Sequence, residues 1–360
     1  GVWIMAYTTI DDPSAHFQTI TYTGNGASRS ITNTGNSDLK PDWVWIKERN
    51  NAVSHRIFDS SRGATKRMFS NNTDAESTQS NSLTAFNTDG FSLGDGTSVN
   101  GNSDTYVAWQ WKANGGTTSS NTDGDITSTV QANTTAGFSI VTYTGTGSDA
   151  SVGHGLGVAP KWYIIKARTR ADGWIVGHTA LGTSTYPYNL ILNSSNAKEG
   201  GSYDDYLTAD PSSTVLNLGN GGNVNASSDT YVAYCFAEKQ GYSKFGSFIG
   251  NNSSDGTFVY LGFTPRWLMV KNITQSHANH SWIIFDSARE TNNVIDTFLE
   301  ADTTATDVTS GRNEVDFLSN GFKARSSYGD FNGGTDHSFV YMAFAEHPFV
   351  SSKGVPATAR

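Results

Sequence analysis

Two imidazoles lie three residues apart in His277-Ala-Asn-His280, a spacing that can chelate a metal ion. No third or fourth ligand accompanies them, and the segment reads as a polar turn before the run Trp282-Ile-Ile-Phe285, so a surface loop is the favoured explanation. Asp123-Gly-Asp125 and Asp255-Gly256 carry loop carboxylates of the kind calcium takes. They lack EF-hand spacing, and turn capping accounts for them. Glycoside hydrolysis needs two carboxyl groups held across a cleft. Glu300 and Asp302 are neighbours, but the chain has only eight glutamates and no Glu-x-Asp-x-x-Glu strand. Walker-type phosphate loops, Gly-x-Ser-x-Gly elbows, His-Glu-x-x-His and paired Cys-x-x-Cys motifs do not occur. The sequence therefore predicts no catalysis, no cofactor and no metal, with a structural calcium, a zinc at the two histidines and polysaccharide hydrolysis as the less favoured alternatives.

Charged pairs give a sharper signal. Asp59 is followed by Arg62 and Asp286 by Arg289, whereas the matching positions His178 and Leu181 lose both charges together. Paired loss predicts a bidentate Asp–Arg bridge that fixes a turn. The alternative is a carboxylate and guanidinium that hold a ligand. Candidates for stacking on a glycan or receptor are the loop aromatics Trp174, Tyr186, Tyr188, Tyr203 and Tyr328. Lys47, Lys166 and Lys271 each close an apolar strand and read as snorkelling lysines, with Trp43, Trp162 and Trp267 as core anchors.

These comparisons are possible because the chain repeats itself. Pro41-Asp-Trp-Val-Trp-Ile-Lys47 returns as Pro160-Lys-Trp-Tyr-Ile-Ile-Lys166 and Pro265-Arg-Trp-Leu-Met-Val-Lys271, at intervals of 119 (160 − 41) and 105 (265 − 160). An opening strand precedes each, at Thr21-Tyr-Thr-Gly-Asn-Gly26, Thr142-Tyr-Thr-Gly-Thr-Gly147 and Ser247-Phe-Ile-Gly-Asn-Asn252. Phe58-Asp-Ser60, Gly177-His-Thr179 and Phe285-Asp-Ser287 follow, and the closing strands begin at Tyr106, Tyr231 and Phe339. Between those two landmarks, Asp89–Leu93 aligns with 213–218 and 320–324. Five landmarks in one order, three times, define a triplicated unit.

The boundaries follow as copy one with an N-terminal arm (1–113), a Gly/Ser/Thr/Asn-rich linker (114–125), copy two (126–240), copy three (241–348) and a tail (349–360). Within the closing strands large and small residues alternate: Val232, Tyr234 and Phe236 oppose Ala233, Cys235 and Ala237. That pattern predicts an inner strand packed closely against a second layer. The expected fold class is all-β, three tandem antiparallel β-sandwich modules of jelly-roll, concanavalin-like type.

Composition sets the outer limits. Charged residues make up 16% and the net charge is −9, which disfavours nucleic-acid partners. One cysteine, Cys235, excludes a disulfide framework within the chain. No run approaches the roughly 18 apolar residues of a membrane span, and no signal-peptide pattern opens the sequence. The expectation is a protein without a membrane span, made in a cytoplasm.

The whole chain resembles repeat-containing virion structural or tail-fibre-like proteins of marine tailed bacteriophages. The resemblance rests on Met5-Ala-Tyr-Thr-Thr-Ile-Asp-Asp-Pro13, where Met5 looks like the usual start, on Pro41–Lys47, Gly153-His-Gly-Leu-Gly157, Ser326-Ser-Tyr-Gly-Asp330 and Val355-Pro-Ala-Thr-Ala-Arg360. It implies a non-enzymatic virion component made in the host cytoplasm, whose partners are other virion proteins and a host surface glycan or receptor. A tail fibre or spike is the first expectation, with a homotrimer as one assembly. A capsid decoration or head-fibre knob is the alternative, and a polysaccharide depolymerase a further one.

Overall fold

The computed structural model describes residues 6–202, 205–309, 311, 312 and 314–357. Its architecture follows from the three closing strands, Thr105–Trp111, Thr230–Phe236 and Ser338–Pro348. Each is hydrogen-bonded on both edges. An opening strand (Phe17–Thr23, Phe138–Thr144 or Ser243–Ile249) lies on one side, and a tryptophan strand (Trp43–Glu48, Trp162–Ala167 or Phe263–Asn272) on the other. Next comes a fourth strand, Arg56–Asp59, Ile175–His178 or Ile283–Asp286. All named strand pairs are antiparallel, as the sequence predicts for an all-β chain, and the sheets remain open.

A strand central to its sheet must bury both faces, and the alternating sizes show how. In copy two, Ala233 and Cys235 face a three-stranded sheet built from Ala150–Gly153, Val215–Leu218 and Leu207–Ala209. Copies one and three repeat this with Arg29–Ile31, Phe91–Leu93 and Leu83–Phe86, and with Phe258–Tyr260, Gly321–Ala324 and Val315–Leu318. The large face looks the other way, into a core that all three copies share. Trp43 stacks on Tyr234 with ring centroids 4.7 Å apart, Trp111 meets Trp267 at 5.6 Å, and Trp162 meets Trp282 at 5.8 Å. Every pair of copies is thus joined by aromatic rings.

Residues 114–125 are tied down at their start. Asp42 accepts the backbone N–H groups of Ala113 and Gly115, both at 2.8 Å, and Gln131 Oε1 accepts those of Asn114 and Gly116 at 3.2 and 2.6 Å. Ser119–Asn121 then pairs with Ser128–Asn133.

Polar ties run between copies in a closed cycle. The Lys47 ammonium donates to Glu48 O at 2.7 Å, Asn51 O at 3.4 Å and, in copy three, Thr304 O at 3.3 Å. Lys166 does the same with Ala167 O, Arg170 O and, in copy one, Thr73 O at 3.2 Å. Lys271 reaches His280 O and, in copy two, Ser195 O at 2.8 Å. These lysines do not snorkel. All three are fully buried, because three carbonyls around Lys47 and Lys166 and two around Lys271 replace the water that an ammonium otherwise seeks.

Indole N–H groups repeat the cycle: Trp174 Nε1 donates to Phe69 O at 2.8 Å and Trp282 Nε1 to Ile191 O at 3.1 Å. In copy one the same place holds His55, whose Nδ1 accepts from Trp45 Nε1 at 2.8 Å. Its Nε2 must therefore carry the proton and donate to Glu300 O at 2.9 Å.

Burial pulls all three lysines down from 10.5 to about 8. The folded value lies below the unfolded one, so between about pH 8 and 10.5 the unfolded chain holds the extra protons and the fold gains stability as pH rises. The gain reaches roughly 3 kcal/mol per lysine at most. Denaturant titrations at pH 7.5 and 9.5 should show this rise, and Lys47→Met should remove about a third of it; an unchanged rise in the variant would refute the assignment.

Candidate ligand groove

Arg62 Nε donates to Asp59 Oδ2, and Arg289 Nε to Asp286 Oδ2 at 2.6 Å, with all four side chains fully buried. Neither pair can meet a ligand from solution. Each instead anchors a border between copies. Tyr234 of copy two donates its hydroxyl to Asp59 Oδ2 at 2.6 Å, and Trp109 of copy one its indole N–H to Asp286 Oδ2 at 3.1 Å. Arg62 Nη1 continues to Glu76 at 3.0 Å, and Glu76 holds Arg168 of copy two at 3.0 Å. Arg289 Nη1 continues to Asp307 at 2.8 Å, and Asp307 holds Arg49 of copy one at 2.6 Å. Burial pushes the Asp286 carboxyl up, but the Arg289 guanidinium outweighs it and holds the group below its ordinary range.

The border between copies two and three lacks the entire set. His178 and Leu181 replace the Asp and Arg, and Met342 stands where Trp109 and Tyr234 donate. The backbone N–H groups of Glu76, Asp307 and Lys198 reach the carbonyls of Arg168, Arg49 and Ile273. This register shows that Lys198 replaces the second acid and Ile273 the outer arginine. The buried Asp and Arg change together because removing either alone would strand the other as a buried charge, and the three positions that bond to them change as well.

Among the expected sugar-stacking aromatics, Trp174 is a correction. It is fully buried, with its N–H held by Phe69 O, because it occupies a border position equivalent to Trp282 and not a free loop. Tyr186 and Tyr188 are half-buried. Tyr188 packs against the shared core, and the Lys198 ammonium sits 4.2 Å from its ring centroid. Tyr203 lies outside the described residues. Tyr328 remains 50% exposed.

Tyr328 belongs to a groove of about 520 Å³ whose lining includes His277, His280, Glu300, Arg312 and Asp330, within the size range of small-ligand sites. Two departures of copy three from its siblings build it. From the strand-closing lysine to the border aromatic is 8 residues in copy one (55 − 47) and in copy two (174 − 166), but 11 in copy three (282 − 271). The longer loop carries His277 and His280. Copies one and two then form the short helices Thr97–Asn100 and Gly222–Asn225, where copy three has the irregular segment 325–331 bearing Tyr328 and Asp330.

The two loops are locked together. Asn272 Nδ2 donates to Gly329 O at 2.8 Å, and a Cβ on Gly329 would lie 2.6 Å from His280 Nε2. A larger residue at 329 would therefore force the His280 ring to shift.

Arg312 lies over the Tyr328 ring, 3.8 Å from its centroid, and 3.7 Å from Asp330 Oδ2. Asp330 Oδ1 is buried and has no hydrogen-bond donor among the described residues. Burial pushes the Asp330 carboxyl up. Burial, and then the nearby Asp302 and Asp330, also push Glu300 up, although Thr303 donates to it at 2.9 Å. His280 is held down by burial. The site can therefore accept hydroxyl protons, donate from a guanidinium and offer an aromatic surface. Asp302 accepts the Trp282 N–H at 2.9 Å and serves the border. Sequence reasoning named Tyr328, Glu300 and the two histidines separately, and missed Arg312 and Asp330. The 11-against-8 spacing was the available signal.

No group of three or more metal-ligating side chains occurs among the described residues. Asp125 accepts the Ser151 N–H and hydroxyl, and Asp255 pairs with Lys323.

No curated protein and no solved structure matches the chain. A domain family of unknown function matches residues 12–348, a span that takes in all three copies as one unit. The chain belongs to that family, DUF7483.

Proposed function

We propose that this chain is a structural component of a bacteriophage particle, a tail fibre or spike. In this reading it attaches the particle to a host-surface glycan or receptor without catalysing a reaction. One observation carries the reading: three copies close around a single aromatic core, while the departures of copy three from the repeat gather in rim loops around an open groove. Such a body holds loops rigidly in place, as an adhesive surface requires. The resemblance of the Pro41–Lys47 phrase and its partners to virion proteins supports it further. We read each copy, with its larger sheet packed on a three-stranded one, as a β-sandwich of jelly-roll, concanavalin-like class. One chain already supplies a three-copy ring, so a monomer can occupy a site built for a homotrimer.

Two alternatives differ in what they predict. A capsid decoration or head-fibre knob would have the same architecture on another part of the particle. A polysaccharide depolymerase is favoured by the upward-shifted Glu300 and Asp330 in one groove. Gold-labelled antibody against this chain should mark the tail tip of intact particles, and purified protein should compete with phage for host cells. Label on the head supports decoration, and shortened host polysaccharide supports the depolymerase. Unlabelled particles would remove the virion reading altogether.

A further inference from the structure

We propose that the copy-three groove is a subsite for an uncharged pyranose sugar, gripped by Tyr328, Arg312, Asp330 and Glu300; this rests on the glycan-attachment reading above. Internal repetition is what isolates the site. Copies one and two show what the scaffold needs in order to fold, and neither the lengthened loop through His277 and His280 nor the segment 325–331 is among those needs. Both departures nonetheless meet at one groove.

The chemistry there selects the ligand class. Pyranoses present an apolar C–H face on one side and a rim of hydroxyls. Tyr328 supplies a half-exposed ring backed by a guanidinium, which fixes its orientation. Asp330 Oδ1 is a buried acceptor without a protein donor among the described residues, and a hydroxyl hydrogen fills that need. Glu300, whose carboxyl is displaced upward, offers a second acceptor across the same groove.

Charge excludes the other candidates. An anionic uronate or sulfated sugar would face two carboxyl groups, Glu300 and Asp330, against one guanidinium that already lies 3.7 Å from both Asp330 and Glu314. A cationic ligand stacked on Tyr328 would meet the like charge of Arg312, 3.8 Å from the ring centroid. What remains is a neutral polyol with one apolar face.

The test uses the full chain and a panel of gluco-, galacto- and manno-configured tetrasaccharides with their uronate counterparts, read by saturation-transfer NMR and titration. Wild-type protein should bind at least one neutral tetrasaccharide saturably, and uronates about tenfold more weakly. Tyr328→Ala should weaken binding about tenfold or more and Asp330→Asn about fivefold. Tyr260→Ala, which removes another exposed ring of copy three, should leave binding unchanged. Near-ultraviolet circular dichroism confirms that each variant is folded. Equal or tighter binding of uronates, unaltered binding by Tyr328→Ala, or no saturable binding across the panel would overturn the assignment. If the Tyr328→Ala protein still attaches to host cells while the panel fails, the subsite is wrong and the attachment reading survives; if wild-type protein attaches to neither, both fall.

Discussion

Asp59→Ala will cost the fold about 3–5 kcal/mol, Arg62→Leu about as much, and the double variant far less than their sum. Removing Asp59 leaves a fully buried guanidinium and the Tyr234 hydroxyl without their shared acceptor. Removing Arg62 leaves a buried carboxylate whose remaining side-chain donor is Tyr234, and leaves Glu76 with only Arg168 from its arginine pair. A buried charge without a partner costs several kcal/mol, whereas a pair exchanged for apolar groups of similar size costs little. Coupling between the two sites should therefore reach about 1–3 kcal/mol when measured by urea denaturation of the four proteins in the cycle. Additive losses would rule out the direct contact.

The copy two–three border is a natural version of that double variant, carried further. His178, Leu181, Lys198, Ile273 and Met342 occupy the five places, and the Lys198 ammonium turns to Leu181 O at 2.8 Å. A border of this kind holds without a buried Asp–Arg pair, so the ionic networks elsewhere are not a general requirement for closing the ring. What they supply is specificity. Tyr234 and Trp109 donate to Asp59 and Asp286, whereas in the reversed order Asp59 would meet Met342 and Trp109 would meet His178, which disfavours docking in the wrong cyclic order.

Much of this was legible in the sequence, and the limits have physical causes. The Val232/Ala233 alternation reveals a strand with two buried faces, and it cannot reveal whether the large face meets its own second sheet or two other copies. Lys47 at the end of an apolar strand has two possible destinations, water or a ring of carbonyls, and the carbonyls come from Thr304 and other residues distant in sequence. Joint loss of Asp and Arg in copy two is visible in the chain, but its link to Met342 depends on a border between copies. Trp174 follows the polar run 168–173 and looked like a loop residue. Counting 8 residues from Lys166, as His55 stands from Lys47, marks it as a border residue instead. The groove was half legible: its aromatic and one acid could be named, while their convergence with Arg312 and Asp330 required the fold.

Trp43→Ala will destabilise all three copies together, by about 3–5 kcal/mol. Trp43 sits in the shared core with ring centroids 4.4 Å from Trp111, 4.7 Å from Tyr234 and 5.8 Å from Phe236, so two copies lose packing at once. Independent copies would confine the damage to residues near Trp43. A common core makes opening one copy expose the large faces of the other two, and that apolar exposure forces them to unfold with it. Hydrogen exchange should then show protection falling by the same factor in Trp43–Glu48, Trp162–Ala167 and Phe263–Asn272, and denaturation should remain a single transition. Trp43→Phe provides the internal control. Its ring still fills most of the site, and it deletes an indole N–H that has no acceptor among the described residues, so its cost should stay near 1 kcal/mol. Loss of protection limited to copy one, or two separate transitions, would mean that the aromatic core joins the copies without making them fold as one.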